Sequence, residues 1–272
     1  MDQSLLEVFG KHKPVIGMVH FPPLPGTPLY DEGGGLDHIR ASVEADLEAL
    51  QDGGIDAVMF GNEGDRPYLT SAGLETVAIM TSVIASLTSH LRVPFGVDVL
   101  WDPKAAIAVA MASGARFVRE VFTGLFAGDL GLWTTACGEA LRYRRSIGAE
   151  HVRLLYTINA EFASPVDARD IGSVARSVVF SSIPDGICVS GPMTGESGGV
   201  EQLRIVKVAS GTVPVFANTG VTADSVASIL EVCDGAIVGT YFKRDGVTWN
   251  PVDVQRVEKL MTAARAGAAR SG

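Results

Sequence analysis

Short runs of apolar and β-branched residues recur along the chain, and each is followed by a turn and a longer segment with helical periodicity. The runs are PVIGMVH (14–20), IDAVMFGN (55–62), PFGVDVL (94–100), ARFVREV (115–121), VRLLYTIN (152–159), GICVSG (186–191), VPVFANTG (213–220) and GAIVGT (235–240). Because these runs are apolar on both faces, they predict the strands of a parallel sheet that crossover helices cover.

The helical segments alternate with these strands. They are predicted over 36–51, 74–89, 104–113, 134–147, 166–180, 200–209, 223–232 and 251–264. Glycines such as Gly114, Gly148 and Gly211 fall where helices should end. The alternation predicts one α/β domain over residues 1–272, a (β/α)₈ or TIM barrel. Residues 1–13 are interpreted as an N-terminal extension or a short capping helix.

A doubly wound open sheet is the alternative fold. Such sheets commonly have about six strands, and a dinucleotide-binding example carries G-x-G-x-x-G after its first strand, which this chain lacks. No Pro/Ser-rich linker or change of composition marks a second domain. The barrel is therefore preferred, and it places functional residues at the carboxyl ends of its strands.

The composition favours a small-molecule partner. The chain is 47% apolar and carries a formal net charge of −9, without a Lys/Arg-rich stripe that would bind nucleic acid or anionic lipid. No apolar run reaches membrane-spanning length, so we expect no membrane insertion. The three cysteines lack metal-ligand spacing and are interpreted as reduced thiols of a cytoplasmic protein. Assembly into a homo-oligomer stays open.

Polar residues end the first two strands. His20 is the last residue of the first strand, and its imidazole could be a general acid or base, or could merely hydrogen-bond the loop that follows. Asn62 and Asp65 follow the second strand, where they either orient substrate hydroxyls or form turns. Glu63 and Arg66 of the same segment are expected on the solvated surface.

Strands three and four carry three charged residues. Alternation along the third strand can place Asp98 on the inner face of the barrel, whereas the adjacent Arg119 and Glu120 face opposite ways. One interpretation is a structural Asp98–Arg119 ion pair. The other is a catalytic carboxylate pair, Asp98 with Glu120, that divides acid and base roles or holds Mg²⁺ or Mn²⁺. No other cofactor is indicated.

The remaining strand ends supply residues for a substrate and a phosphate. Candidates to bind the substrate are Arg119, Asn159, Thr194, Gly195 and Asn218. Barrels frequently bind phosphate with the loops after strands seven and eight. Candidates in those loops are Gly220, Gly239, Thr240 and Lys243, with Thr222 expected to cap the helix that follows. A turn that binds no ligand is the alternative for such Gly-rich loops.

Several of these segments together resemble the BtpA/SgcQ family. They are MVHFPPLPGTPLY, GNEGDRPY, GVDVLWDP, FVREV, ALRYRR, SGPMTG and GTYFKRDGVTWNPVDVQRV, and the resemblance extends over nearly all of the chain. It implies a barrel of the phosphate-binding type. It also implies a link either to photosystem I biogenesis or to bacterial sugar-utilisation gene clusters, and it carries no single reaction.

Two functions follow from these observations. The preferred one is an enzyme, either an isomerase, an epimerase or a lyase, that acts on a phosphorylated sugar or nucleoside-like metabolite. Asp98, Glu120 and His20 would supply its acid, base or metal-ligand groups. The alternative, which the resemblance supplies, is a non-catalytic assembly factor for a membrane complex such as photosystem I. An exposed apolar patch of several hundred Å² away from the barrel mouth would favour the assembly factor.

Overall fold

All eight predicted barrel strands are present in the computed structural model, which describes residues 3–268. The strands are β1 (Val15–His20), β2 (Ala57–Gly61), β3 (Phe95–Asp98), β4 (Phe117–Glu120), β5 (Leu125–Gly128), β6 (Gly131–Thr134), β7 (Arg153–Thr157), β8 (Ala163–Pro165), β9 (Gly186–Val189), β10 (Val215–Ala217) and β11 (Gly235–Val238). A closed parallel ring runs in the order β1, β2, β3, β4, β7, β9, β10, β11 and back to β1. The predicted TIM barrel is therefore confirmed.

Helices follow the barrel strands as predicted, with four later starts, including one at Val254 for the helix predicted from 251. The helices are α1 (Gln3–Phe9), α2 (Gly35–Asp52), α3 (Leu74–Ser86), α4 (Pro103–Ser113), α5 (Cys137–Ser146), α6 (Ile171–Ser182), α7 (Val200–Ala209), α8 (Val226–Val232) and α9 (Val254–Ala268). The helix predicted from 134 begins at Cys137 because β6 runs to Thr134, and the helix predicted from 166 begins at Ile171 because residues 166–170 form a loop after β8. The helix predicted from 223 begins at Val226 because residues 223–225 form a turn.

The inside of the barrel is apolar at the amino ends of the strands. Strand alternation turns Ile16 and Met18 of β1 inward, together with the side chains of Met59 and Phe117 from neighbouring strands. Helix α1 packs against this cluster, and its Phe9 ring lies 5.2 Å from the ring of Phe117. The amino end of the barrel is therefore closed by side chains, and the polar inward positions lie at the carboxyl end.

A second, antiparallel sheet is the main feature that the periodicity did not predict. Its order is β6, β5, β8, so it joins the loop after β4 to the loop after β7. Phe126 and Trp133 of this sheet pack with Trp101 of the loop after β3 in a separate apolar cluster. The strands are only three or four residues long and largely exposed, so no apolar run marked them in the sequence.

Two further expectations concern membrane-spanning segments and the cysteines. No helix within residues 3–268 has both the length and the apolar character needed to cross a membrane. Cys137, Cys188 and Cys233 are free thiols, as the sequence analysis expected, and Cys188 is fully buried inside the barrel.

Candidate functional site

A cavity of about 260 Å³ opens at the carboxyl end of the barrel. Four strands each contribute a polar side chain to this cavity. Each side chain belongs to an inward-facing residue at the end of its strand or to the residue just beyond it, because alternation continues the inner face. These side chains are His20, Arg119, Thr157 and Asn218. Each is less than 10% exposed, so a polar layer lies directly on the apolar interior of the barrel.

Arg119 is the central cation of this layer. Its guanidinium Nη2 donates to Oδ2 of Asp98 on β3, the neighbouring strand, and Nη1 lies 4.0 Å from Oε1 of Glu161. Asp98 is 1% exposed and does not line the cavity. The Asp98–Arg119 ion pair, one of the two interpretations from the sequence, is thus the arrangement present.

Glu161, in the loop after β7, joins three neighbours. Its Oε2 accepts a hydrogen bond from the Thr194 hydroxyl at 2.8 Å, and its Oε1 lies 3.4 Å from the Asn218 amide nitrogen. Asn218 also donates to the Ser190 hydroxyl at 2.7 Å. Thr194, Gly195 and Asn218 therefore line the cavity as expected, and Glu161 connects them to Arg119.

His20 and Glu63 form a second pair on the opposite side of Arg119. The imidazole Nε2 of His20 lies 3.6 Å from Oε1 of Glu63. Glu63 folds over Gly61, where an added Cβ would lie 2.6 Å from Oε2, and Gly61 pairs with His20 across the strands. Glu63 was expected on the surface, but it is 7% exposed and lines the cavity.

Burial shifts the pKa values of this pair in opposite directions. Desolvation raises the pKa of Glu63 to about 7, although the charge of Arg119 opposes the shift. Desolvation, with the nearby charge of Lys243, lowers the pKa of His20 well below its ordinary value. Near neutral pH the imidazole is therefore uncharged, and the Glu63 carboxyl can gain or lose a proton.

Glu120 also lines the cavity, and backbone N–H groups rather than Asp98 hold its carboxylate. Its Oε1 accepts from the Trp101 backbone N–H at 2.9 Å, and its Oε2 accepts from that of Val121 at 2.7 Å. Burial raises the pKa of Glu120 to about 7 against these two donors. Asp98 is bound to Arg119 rather than to Glu120, and the Asp98–Glu120 pair for acid–base chemistry or Mg²⁺ or Mn²⁺ stays a prediction.

Potential metal-ligating side chains gather elsewhere. Among residues 3–268, the one group of three such side chains comprises Glu44 and Glu48 of α2 with His90. His90 Nδ1 lies 3.1 Å from Oε1 of Glu44, and all three side chains are partly exposed on the outside of the barrel. This group has no contact with the cavity.

The predicted phosphate loops border the cavity on the same rim as His20. Gly239 follows β11, and a Cβ at this position would lie 3.1 Å from Nε2 of His20. The backbone N–H groups of Gly220 and Val221 make no hydrogen bond to any part of the chain that the structure describes. Gly220 also has φ +64° and packs against the backbone of residues 196–197, which explains why glycine is required there.

Thr222 and Lys243 do not have the expected roles. The Thr222 N–H donates to the Ser225 hydroxyl at 3.0 Å, and Ser225 rather than Thr222 precedes α8. The Lys243 ammonium is 2% exposed and pairs with Asp46 of α2, so it does not reach the cavity. Arg256 lines the cavity beside the predicted phosphate loops instead, and its guanidinium stacks on the ring of Tyr241 at 4.6 Å.

Three other predicted substrate-binding residues connect loops instead of lining the cavity. Asp65 accepts from the Leu24 N–H at 2.8 Å and from the Asn62 amide at 3.0 Å, while Asn62 accepts from the Leu100 N–H. Asn159 makes two hydrogen bonds to the backbone of Ser190. All three amide or carboxylate groups are used by protein partners. Asn62 and Asp65 border a separate cavity beside α3.

Aromatic side chains form one wall of the main cavity. Tyr68 lies between Phe162 and Trp101, with ring centroids 6.3 and 6.5 Å away. The Trp133 ring stands behind Trp101 at 5.4 Å and stacks on Phe126 at 4.7 Å. The second sheet therefore supports this wall from behind.

Several polar atoms of the cavity residues have no protein partner. Within the described part of the chain these buried atoms include Glu63 Oε2, Arg119 Nε, Thr157 Oγ1 and Asn218 Oδ1. An unpartnered buried polar group costs about 1–3 kcal/mol, so native proteins rarely retain several of them in one place without a role. The polar layer has hydrogen-bonding capacity that the protein itself does not use.

Several residues of the cavity were not predicted from the sequence, and they differ in whether a sequence pattern could have identified them. Strand alternation through Ala57, Met59 and Gly61 leads to an inward Glu63, so the inward position of Glu63 could have been predicted. Arg256 lies near the start of α9, and no spacing links it to the rim. Tyr68, Trp101 and Phe162 depend on loop geometry, including positive φ angles at Trp101 and Phe162.

Solved structures similar to this chain share its barrel. Dihydropteroate synthase from Xanthomonas albilineans has a TM-score of 0.61 at 16% identity, with 96% of this chain and 94% of that chain covered. Thiamine phosphate pyrophosphorylase from Pyrococcus furiosus has a TM-score of 0.54 at 17% identity, with coverage of 94% and 96%. Phosphoribosyl anthranilate isomerase from Thermus thermophilus has a TM-score of 0.57 at 11% identity, with coverage of 93% and 98%. At such identities the likeness establishes the fold.

Sequence relatives are much closer. The putative sgc region protein SgcQ of Escherichia coli is 46% identical, with 94% of this chain and 96% of that protein covered. The photosystem I biogenesis protein BtpA of Synechocystis is 31% identical, with coverage of 97% and 92%. The profile described as the BtpA family matches residues 11–266. This chain therefore belongs to the BtpA family, as the motifs in its sequence had indicated.

Proposed function

We propose that the protein is an enzyme that moves a proton on a phosphorylated small molecule, as isomerases, epimerases and many lyases do. The observation that carries the proposal is the set of unpartnered polar atoms on Glu63, Arg119, Thr157 and Asn218 around one cavity. A substrate with hydroxyl or carbonyl oxygens would supply the missing partners.

Glu63 is the proposed acid–base group. Its pKa of about 7 lets the carboxyl take up a proton from a substrate carbon or oxygen and return it near neutral pH. Arg119 stands beside it as a fixed cation that would stabilise negative charge developing on a substrate oxygen. Neutral His20, 3.6 Å from Glu63, would donate or accept a hydrogen bond without a change in charge.

The phosphate is proposed to bind between the loops after β10 and β11. Backbone N–H groups of Gly220 and Val221 are candidates to donate to its oxygens, with Thr240 beside them. Arg256 supplies the positive charge that was expected from Lys243. Helix α8 has seven residues and begins after a separate turn, so its N-terminus is not part of this proposal.

The comparisons support the proposal at the level of ligand class. Two barrels of the same fold are named for phosphate-bearing compounds, thiamine phosphate pyrophosphorylase and phosphoribosyl anthranilate isomerase. The assembly-factor alternative derives from the name of the Synechocystis relative. An assembly factor has no need for a buried acid–base pair in a cavity, so we favour the enzyme.

Solvent exchange tests the proposed chemistry without knowledge of the full reaction. The protein is incubated in D₂O with ribose 5-phosphate, fructose 6-phosphate and glucose 6-phosphate, and deuterium at carbon next to the carbonyl is followed by NMR. We expect incorporation into at least one of them, with a loss of about 100-fold in Glu63→Gln because general acid–base catalysis contributes about that much. Glu139→Gln, at an exposed glutamate outside the cavity, is the control. Exchange that is equal in Glu63→Gln and the wild-type protein would refute the role of Glu63.

A further inference from the structure

The cavity has chemically different ends, and we propose that its substrate carries a planar ring at the end opposite the phosphate. The shape and polarity correspond to a sugar phosphate that also carries a heteroaromatic ring, and nucleoside monophosphates are the probes of this chemistry. This inference rests on the proposed function and narrows its substrate class.

The two ends lie across the barrel from each other. The proposed phosphate loops follow β10 and β11, and the loops after β3 and β4 are four strands away around the closed ring of eight. Trp101 belongs to the loop after β3, and Tyr68 and Phe162 follow the flanking strands β2 and β7. Arg119 and Asn218 line the cavity from β4 and β10, one on either side.

The wall at the far end presents aromatic surface. Tyr68, Trp101 and Phe162 approach one another with centroid separations of 6.3 and 6.5 Å and mutual tilts of 36° and 59°. A ring that enters the cavity can stack on one of them and meet another by its edge, the two arrangements that aromatic pairs prefer.

Contacts with residues around it also hold the aromatic wall in place. Glu120 accepts the Trp101 backbone N–H, and Trp101 has a left-handed backbone with φ +68°. The second sheet places Trp133 directly behind it at 5.4 Å. The hydrogen bond from Trp101 to Glu120 therefore holds the loop that carries Trp101.

One polar atom in the wall favours a heteroaromatic ring over a hydrocarbon ring. The indole Nε1 of Trp101 is buried and has no hydrogen-bond partner within residues 3–268. A ring nitrogen or carbonyl of a base would accept from this donor, and a sugar phosphate without a ring would leave the aromatic faces uncovered.

Titration calorimetry with four probes tests the inference: inorganic phosphate, ribose 5-phosphate, adenosine 5′-monophosphate and uridine 5′-monophosphate. We expect at least one nucleotide to bind about tenfold more tightly than ribose 5-phosphate, which corresponds to about 1.4 kcal/mol. Tyr68→Leu and Phe162→Asn should each reduce that preference to below about threefold. Asn is chosen because it tolerates the positive φ of Phe162. Phe180→Leu, at an aromatic residue 90% exposed on α6, is the matched control and should keep the full preference.

The outcomes separate this inference from the proposed function. If ribose 5-phosphate binds as tightly as both nucleotides, the ring is refuted while the phosphate site stands. If the nucleotide preference persists in both variants, the aromatic wall is not the place where the ring binds. If none of the three organic phosphates binds, the proposed function itself fails.

Discussion

Arg119 of β4 and Asp98 of β3 form a buried ion pair at the centre of the barrel mouth. Removal of one partner leaves the other charge buried without compensation, which typically costs about 3–5 kcal/mol. We therefore expect Asp98→Ala to lower the free energy of unfolding by about that amount, measured by urea denaturation.

A double variant separates this charge effect from loss of packing. Asp98→Leu combined with Arg119→Met removes both charges and should recover a large part of the lost stability, because neither charge of the pair is then buried without the other. An Asp98→Ala protein within about 1 kcal/mol of the wild type would mean that the pair has little structural role.

The raised pKa of Glu63 predicts a pH-dependent stability. Between the ordinary pKa of 4.5 and the folded-state value of about 7, the folded protein keeps a proton that the unfolded chain loses. The contribution of Glu63 to the unfolding free energy of the wild type therefore falls as pH rises through this window. Glu63→Gln cannot ionise, so its stability relative to wild type should improve by roughly 3 kcal/mol from pH 4 to pH 8. Denaturation curves at both values measure the difference, and parallel behaviour of the two proteins would contradict the shift.

Arg256 is expected to dominate binding of the phosphate. Its loss removes a charge-assisted hydrogen bond, so Arg256→Ala should weaken ribose 5-phosphate binding by at least about tenfold. Arg265→Ala is the matched control, because Arg265 lies on the same helix but bonds to Gly54 outside the cavity. Equal affinities in the two variants, measured by titration calorimetry, would exclude Arg256 from the phosphate site.

Asp65 provides the opposite case, a residue whose contacts correspond to the structural one of its two expected roles. Asp65→Ala leaves the Leu24 N–H and the Asn62 amide without their acceptor, which should cost about 1–3 kcal/mol of stability. Ribose 5-phosphate affinity should remain within about twofold of wild type. A large loss of affinity without a loss of stability would mean that Asp65 takes part in substrate binding.

The fold could be predicted from the sequence because the strand pattern and the helix pattern each depend on residues that are close together in the chain. Apolar strands such as 55–62 and 94–100 alternate with helical segments, and each was found close to its predicted position. The sheet of β5, β6 and β8 was missed because β5 and β6 form a hairpin of short, largely exposed strands, and β8 pairs with β5 from about 35 residues away. Such contacts leave no periodic signal in either segment.

The site was predictable where it depends on strand parity and unpredictable where it depends on loop paths. His20, Arg119 and Asn218 line the cavity because they continue the inner face of their strands. Lys243 was misplaced because the segment after β11 turns its ammonium toward Asp46 on α2. Arg256 reaches the rim where Lys243 was expected, and only the three-dimensional path of the chain shows this.

A crystal structure of the protein with ribose 5-phosphate tests the central claim most directly. The account predicts a phosphate held by the backbone of residues 220–221, by Thr240 and by the Arg256 guanidinium, with the sugar oxygens directed toward Arg119 and Glu63. A phosphate bound outside this cavity, or a sugar phosphate held without contact to Arg256 and the residue 220–221 backbone, would contradict it.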